Sequence, residues 1–122
     1  PMKTRRTIST LAVTAVAAIA LSACNGIPGW TDHFAGSISD SGLARLRACE
    51  SNGNYRVVNS SGTYRGAYQF SRSTWNAVAR SHYPDLVGVD PAAAAPWDQD
   101  RMARALWATG GPGHWPVCGR RV

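Results

Sequence analysis

Glutamate occurs once in these 122 residues, as Glu50, and lysine once, as Lys3. Cysteine is nearly as scarce. Cys24, Cys49 and Cys118 include no Cys-x-x-Cys pair, and His33, His82 and His114 are scattered, so no structural zinc or other metal site is expected. A permanent bilayer-spanning helix needs about 20 apolar residues. The stretch from Leu11 to Leu21 is too short for that role. No internal repeat is present, and Ala92 to Ala95 is the one low-complexity tract. Of the formal charge of +6, three units belong to Lys3, Arg5 and Arg6; the remaining ten arginines against seven acids leave +3. So modest an excess implies no nucleic-acid partner.

The apolar stretch instead follows a basic n-region, Met2-Lys3-Thr4-Arg5-Arg6, and reads as an export signal covering residues 1–23. It closes with Leu21-Ser22-Ala23-Cys24, which resembles the lipobox of bacterial lipoproteins, where a cysteine carries lipid after cleavage. That resemblance implies a membrane-anchored lipoprotein facing the cell wall, with Cys24 as the lipidation site. Ser22 and Ala23 equally suit an ordinary signal peptidase, which would leave a secreted protein. Residues 24–40, rich in Gly and Ser, read as a tether. The compact part, 41–118, is one small domain with a four-residue tail, 119–122. A core of that size is marginal alone. Cys49 and Cys118 stand at its two ends in an exported chain, so a disulfide between them is expected, contributing roughly 4 kcal/mol.

Leu43, Leu46 and Cys49 recur at helical spacing behind the cap Ser39-Asp40-Ser41, predicting a helix over 42–50. Tyr55 to Val58 and Tyr64 to Phe70 are β-prone runs separated by Asn59-Ser60-Ser61-Gly62, predicting a hairpin. Ser71-Arg72-Ser73 caps a second helix carrying Trp75, Val78 and Ala79. Asp90-Pro91 and Ala95-Pro96 both offer proline starts for a third, with Met102 and Leu106 on one face and Gly110-Gly111 at its end. The expected class is therefore α+β, mainly helical with a short β-hairpin.

Glu50 falls where the first helix ends. The last carbonyls of a helix disfavour an anion, and burial against aromatic neighbours acts the same way, so the carboxyl should stay protonated to a higher pH than usual. A general acid needs that property. Arg47, Arg56 or Arg65 would oppose it if any of them folded onto Glu50.

Four blocks in order, Cys49-Glu50-Ser51-x-Gly53-Asn54-Tyr55, Gly66-x-Tyr68-Gln69-Phe70, Ser73-Thr74-Trp75 and Trp115-Pro116-Val117-Cys118, resemble the lysozyme-like catalytic domain of resuscitation-promoting factors, also called transglycosylase-like domains. The resemblance covers most of residues 41–118. It implies a small lysozyme-like fold with the hairpin beside the catalytic cleft, peptidoglycan glycan strands as substrate, and cleavage of the β-1,4 bond between N-acetylmuramic acid and N-acetylglucosamine. It further implies a role in wall remodelling or resuscitation, a monomer with no cofactor, and a peptidoglycan endopeptidase as a potential partner. Glu50 matches the family's catalytic glutamate; Tyr64, Gln69 and Thr74 match positions lining its glycan cleft, while Trp75 suits the core. Tyr64 and Tyr68 also alternate as any half-buried strand would. The pattern departs at Asn52, Tyr55 and Ala67-Tyr68, positions that bear on substrate preference and leave the proton donor untouched. The rival reading is a wall-anchored glycan-binding module with little or no turnover.

Overall fold

Ser39 begins the first helix: its backbone is extended (φ −67°, ψ 158°) and its hydroxyl accepts the Gly42 N–H, leaving α1 to run over Asp40–Ser51. The computed structural model describes residues 31–122, so the expected export signal over 1–23 and the expected lipidation site Cys24 lie outside the described residues. Helix α1 stops at Asn52, which adopts the left-handed conformation (φ 56°, ψ 28°). Asn52 N–H donates to the Ala48 carbonyl and Gly53 N–H to that of Arg47, satisfying two of the helix's last acceptors. Asparagine tolerates this geometry better than most residues, so it serves here without glycine.

Helix α2 spans Arg72–His82, with the Ser71 hydroxyl accepting the Thr74 N–H and with Trp75, Val78 and Ala79 buried. The indole of Trp75 donates to the Leu86 carbonyl at 2.9 Å. The helix ends at Tyr83 (φ −141°, ψ 72°), as expected of a residue before a proline. Of the two proline starts, only the second opens α3, Pro96–Gly110. At the first, Asp90 caps a turn by accepting the Ala92 N–H.

Helix α3 is the centre of the fold and buries Met102, Ala103, Ala105 and Leu106 against α1 and α2 residues. It also buries two arginines. Arg101 pairs with Asp85 and Asp98, and Arg104 with Asp32 and Asp40. Buried guanidinium groups require such partners, and this requirement corrects the expected boundaries. Residues 32–39 are not a tether: Asp32 is drawn onto α3 by Arg104, the Ser37 hydroxyl donates to the Arg104 carbonyl, and Ile38 is buried in the core. Residues 119–122 are not a loose tail either. A 3-10 turn, Cys118–Arg121, buries Gly119, and Val122 packs on the core.

The expected hairpin is reduced to two isolated antiparallel bridges, Val58 with Arg65 and Arg65 with Phe70. The Asn59–Gly62 turn is present, closed by the Gly62 N–H to the Asn59 carbonyl at 2.9 Å. The second run cannot extend because Gly66 (φ 82°) and Gln69 (φ 54°) are both left-handed and fold Phe70 back onto Arg65. The described residues thus form a small, mainly helical domain of three α-helices with almost no strand. None of those helices is long and apolar enough to cross a membrane.

Gly66 is fixed by space as well as by φ. A Cβ there would lie 2.5 Å from Gln99 Oε1 and 3.0 Å from the Pro91 carbonyl oxygen. Gln99 is buried, accepting the Ala67 N–H and donating to the Tyr55 and Ala94 carbonyls. Gly66→Ala is expected to cost about 2–4 kcal/mol from strain and overpacking together. In a domain of this size the melting temperature should fall by roughly 10 °C or more; a fall under about 3 °C would show that the loop relaxes freely.

Candidate active site

The Cys49–Cys118 disulfide, which joins Cα atoms 5.6 Å apart across 69 positions of sequence, ties the last turn of α1 to the C-terminal run. Between them opens a cleft of about 360 Å³. Glu50 lines it, together with Tyr64 and Gln69 from the irregular 55–70 segment and His114, Trp115 and Val117 from the C-terminal run. A smaller cavity of about 60 Å³ shares Tyr64, Gln69, His114 and Trp115 and reaches Thr74. The two adjoin along those shared residues as a groove: Tyr64 and Gln69 line both parts, Glu50 the larger and Thr74 the smaller. Trp115 is buried and braced, its indole donating to the Tyr68 carbonyl and its ring meeting Phe70 and Trp107.

Glu50 is half-buried, and the loss of hydration pushes its carboxyl above the ordinary glutamate range. None of the three arginines that sequence places nearby offsets this. Arg47 donates to Tyr68 and pairs with Asp100, Arg56 donates to the Ala92 and Ala94 carbonyls, and Arg65 holds Asp90. Among the described residues no group hydrogen-bonds to or pairs with the Glu50 carboxyl.

Each of the six aspartates is occupied by arginine: Asp32 and Asp40 by Arg104, Asp85 and Asp98 by Arg101, Asp90 by Arg65, and Asp100 by Arg47. The Arg65 fork holds the Asp90 carboxyl down to about 2. Asp100 also accepts the hydroxyls of Tyr55 and Tyr68. Burial and that hydrogen bond push the Tyr55 phenol up to about 12, and burial first of all raises Tyr68 further. This network fastens the 55–70 segment to α3 behind the groove. Among the described residues lining the groove, Glu50 is the sole carboxylic acid.

Gln69 occupies its left-handed conformation with its Nε2 donating to the Gly66 carbonyl at 2.9 Å. No described donor meets its Oε1, which is left as an acceptor in the cleft. Strain of this kind at a non-glycine residue concentrates at ligand-binding positions. Tyr64 is 49% exposed, whereas Tyr68 is buried, so the two tyrosines divide between surface and core. The Thr74 hydroxyl accepts from Ser71 and sits at the far end of the groove. Among the described residues no cluster of His, Cys, Asp and Glu could hold a metal ion.

Sequence reasoning did not assign His114 or Val117 to the site. One signal was available: a residue bonded to Cys49 must carry its own neighbours to Glu50, so the expected disulfide already placed the C-terminal run opposite the acid.

Fold and groove together define a small helical domain with one unpaired acid beside an open cleft. The family model of the transglycosylase-like domain matches residues 38–118, and the chain belongs to that family. It is similar to the probable transglycosylase SceD of Staphylococcus epidermidis, 46% identical over 76 residues that make up 62% of this chain and 33% of that protein. SceD of Staphylococcus aureus strain Newman is 44% identical over 73 residues, 60% of this chain and 30% of that protein. The chain spans about a third of the length of these curated relatives.

Proposed function

We propose that this domain has a lysozyme-like fold and cleaves peptidoglycan at the β-1,4 bond between N-acetylmuramic acid and N-acetylglucosamine, with Glu50 as the proton donor. The observation that carries the proposal is the half-buried, unpaired Glu50 carboxyl on the groove. Family membership and the similarity to two probable transglycosylases support it.

Two-carboxylate glycosidases set a second acid roughly 5–9.5 Å from the first. Here the aspartates are held by arginine, so the second role falls to the substrate. Glu50 protonates the glycosidic oxygen as its bond to C1 breaks. The substrate's N-acetyl oxygen or its 6-hydroxyl then supplies electrons to C1. Attack by the 6-hydroxyl, whose proton passes to the Glu50 carboxylate, closes a 1,6-anhydro ring; capture by water, with its proton going the same way, gives a reducing sugar. Tyr64 offers a ring face to a sugar, and Gln69 Oε1 is placed to accept an N-acetyl N–H or a hydroxyl. Digestion of purified peptidoglycan with mass analysis of the soluble products tests this reading and separates the two outcomes.

Because the acid form does the work, the sign of the pH dependence follows. Burial raises the Glu50 pKa, so kcat/KM should be full below that value and decline as pH rises through it. A flat profile between about pH 5 and 8, with chemistry rate-limiting, would contradict the assignment.

In the cell we place the protein outside the cytoplasm, anchored through lipid on Cys24 and acting in wall remodelling or resuscitation, alone or beside a peptidoglycan endopeptidase. Mass analysis of the mature N-terminus tests the anchor: an unlipidated chain cut elsewhere removes it.

A further inference from the structure

Ser51 directly follows Glu50 and closes α1. Its hydroxyl lies 2.8 Å from the Ala67 carbonyl oxygen and 3.1 Å from that of Arg47. A hydroxyl has one proton to give, and the Arg47 carbonyl already accepts the Gly53 N–H. The proton therefore belongs to the shorter contact, with the buried Ala67. This bond crosses from the end of the helix that carries the acid to the opposite wall of the groove.

Ala67 lies in the turn that presents Gln69. That turn is stiff, because the Gly66 carbonyl accepts both the backbone N–H of Gln69, at 3.2 Å, and its side-chain Nε2, at 2.9 Å. It moves as a unit, so the place of Gln69 Oε1 in the groove depends on what holds Ala67 and Tyr68. Gln99 of α3 accepts the Ala67 N–H, the Trp115 indole donates to the Tyr68 carbonyl, and Ser51 donates to the Ala67 carbonyl. Only the last of these joins the turn to the residue beside the acid; Arg47, one helical turn back, reaches the far tip of Tyr68. On the other side of Glu50, the Cys49–Cys118 bond fixes the end of α1. With the acid's helix held by the disulfide, the serine bond sets how far the Gln69 turn stands from it.

We propose that Ser51 is a positioning residue: through the Ala67 carbonyl it fixes the separation of Gln69 Oε1 from Glu50, and so holds the glycosidic oxygen of a strand bound at Gln69 within reach of the acid. This inference rests on the reading of Glu50 as the proton donor in glycan cleavage. Proton transfer needs heavy atoms about 2.6–3.2 Å apart, and a misplacement of about 1 Å costs on the order of a hundredfold in rate. Without the hydroxyl the turn keeps its bonds to Gln99 and Trp115, so its shift is smaller than that. The expected loss is roughly tenfold and falls on kcat, since the contacts to the sugar remain.

The test measures kcat and KM on soluble, uncrosslinked glycan strands for wild type, Ser51→Ala, Ser51→Thr, Gln69→Ala and Ser51→Ala/Gln69→Ala, each rate taken per folded molecule. Ser51→Ala should lose roughly tenfold in kcat with KM within about twofold of wild type, and Ser51→Thr, which keeps the hydroxyl, should recover most of that loss. Because Ser51 acts through Gln69, the double variant should be slower than Gln69→Ala by no more than about twofold. A parent-like kcat in Ser51→Ala, a loss in KM alone, losses that multiply in the double variant, or failure of threonine to restore the rate would each overturn the inference. A Ser51→Ala chain that does not fold would make the serine structural and overturn it as well. A wild type that releases no product would remove the catalytic reading and this inference with it, whereas an active wild type beside an equally active Ser51→Ala would remove this inference alone.

Discussion

Glu50→Gln should fold, bind glycan as the parent does, and cleave at least about a hundredfold more slowly. A positioned proton donor contributes of order 10²–10⁴ to rate, and no second acid on the groove takes over. The substitution also has a stability signature that separates a functional carboxyl from a structural one. The folded state holds the Glu50 proton more tightly than the unfolded chain does, because burial raises its pKa. Stability drawn from that proton is complete below the unfolded value and lost as pH rises through the folded one. Above the folded value the ionised carboxyl is thus a cost that glutamine lacks, and there the melting temperature of Glu50→Gln should equal or exceed that of wild type. A lowered melting temperature would mark Glu50 as structural, and a parent-like rate would return the groove to simple glycan binding.

Removing the disulfide should have the largest effect on stability. Cys118→Ser frees a 69-position loop, and losing such a bridge from a small domain costs about 2–5 kcal/mol. Catalysis should fall further than the loss of folded protein explains. Cys49 precedes Glu50 on α1, and Cys118 ends the run that supplies His114, Trp115 and Val117 to the cleft. The bond therefore sets the width of the groove at the acid as well as the stability of the domain. Reduction of wild type should reproduce both effects. Rates per folded molecule equal to wild type would confine the bridge to a stability role.

The helices were legible because their starts are written locally. Ser39 and Ser71 each cap with a side-chain oxygen, and Pro96 fits a first-turn position whose N–H would be unpaired anyway. Strand propensity alone misread the 55–70 segment. The residues are β-prone, yet the conformation is decided by left-handed backbone at Gly66 and Gln69, and the second of these is not a glycine. Composition misread residues 32–39 in a different way. Gly and Ser suggested a tether, but the segment is held by Arg104, which lies 72 positions from Asp32 and 64 from Asp40. Pairing at such range leaves no local trace. In the groove, Glu50 was marked by its scarcity and its place at a helix end, whereas His114 is an unremarked residue until the disulfide carries it across from the acid.

That scarcity also provides the most direct measurement. With glutamate labelled at its carboxyl carbon, Glu50 gives the protein's single glutamate resonance, and its titration is read without assignment. The midpoint should lie above the usual glutamate value of about 4.3 and coincide with the pH at which kcat/KM for peptidoglycan falls to half. A midpoint at or below the usual value, or an activity profile that ignores it, would contradict Glu50 as the proton donor.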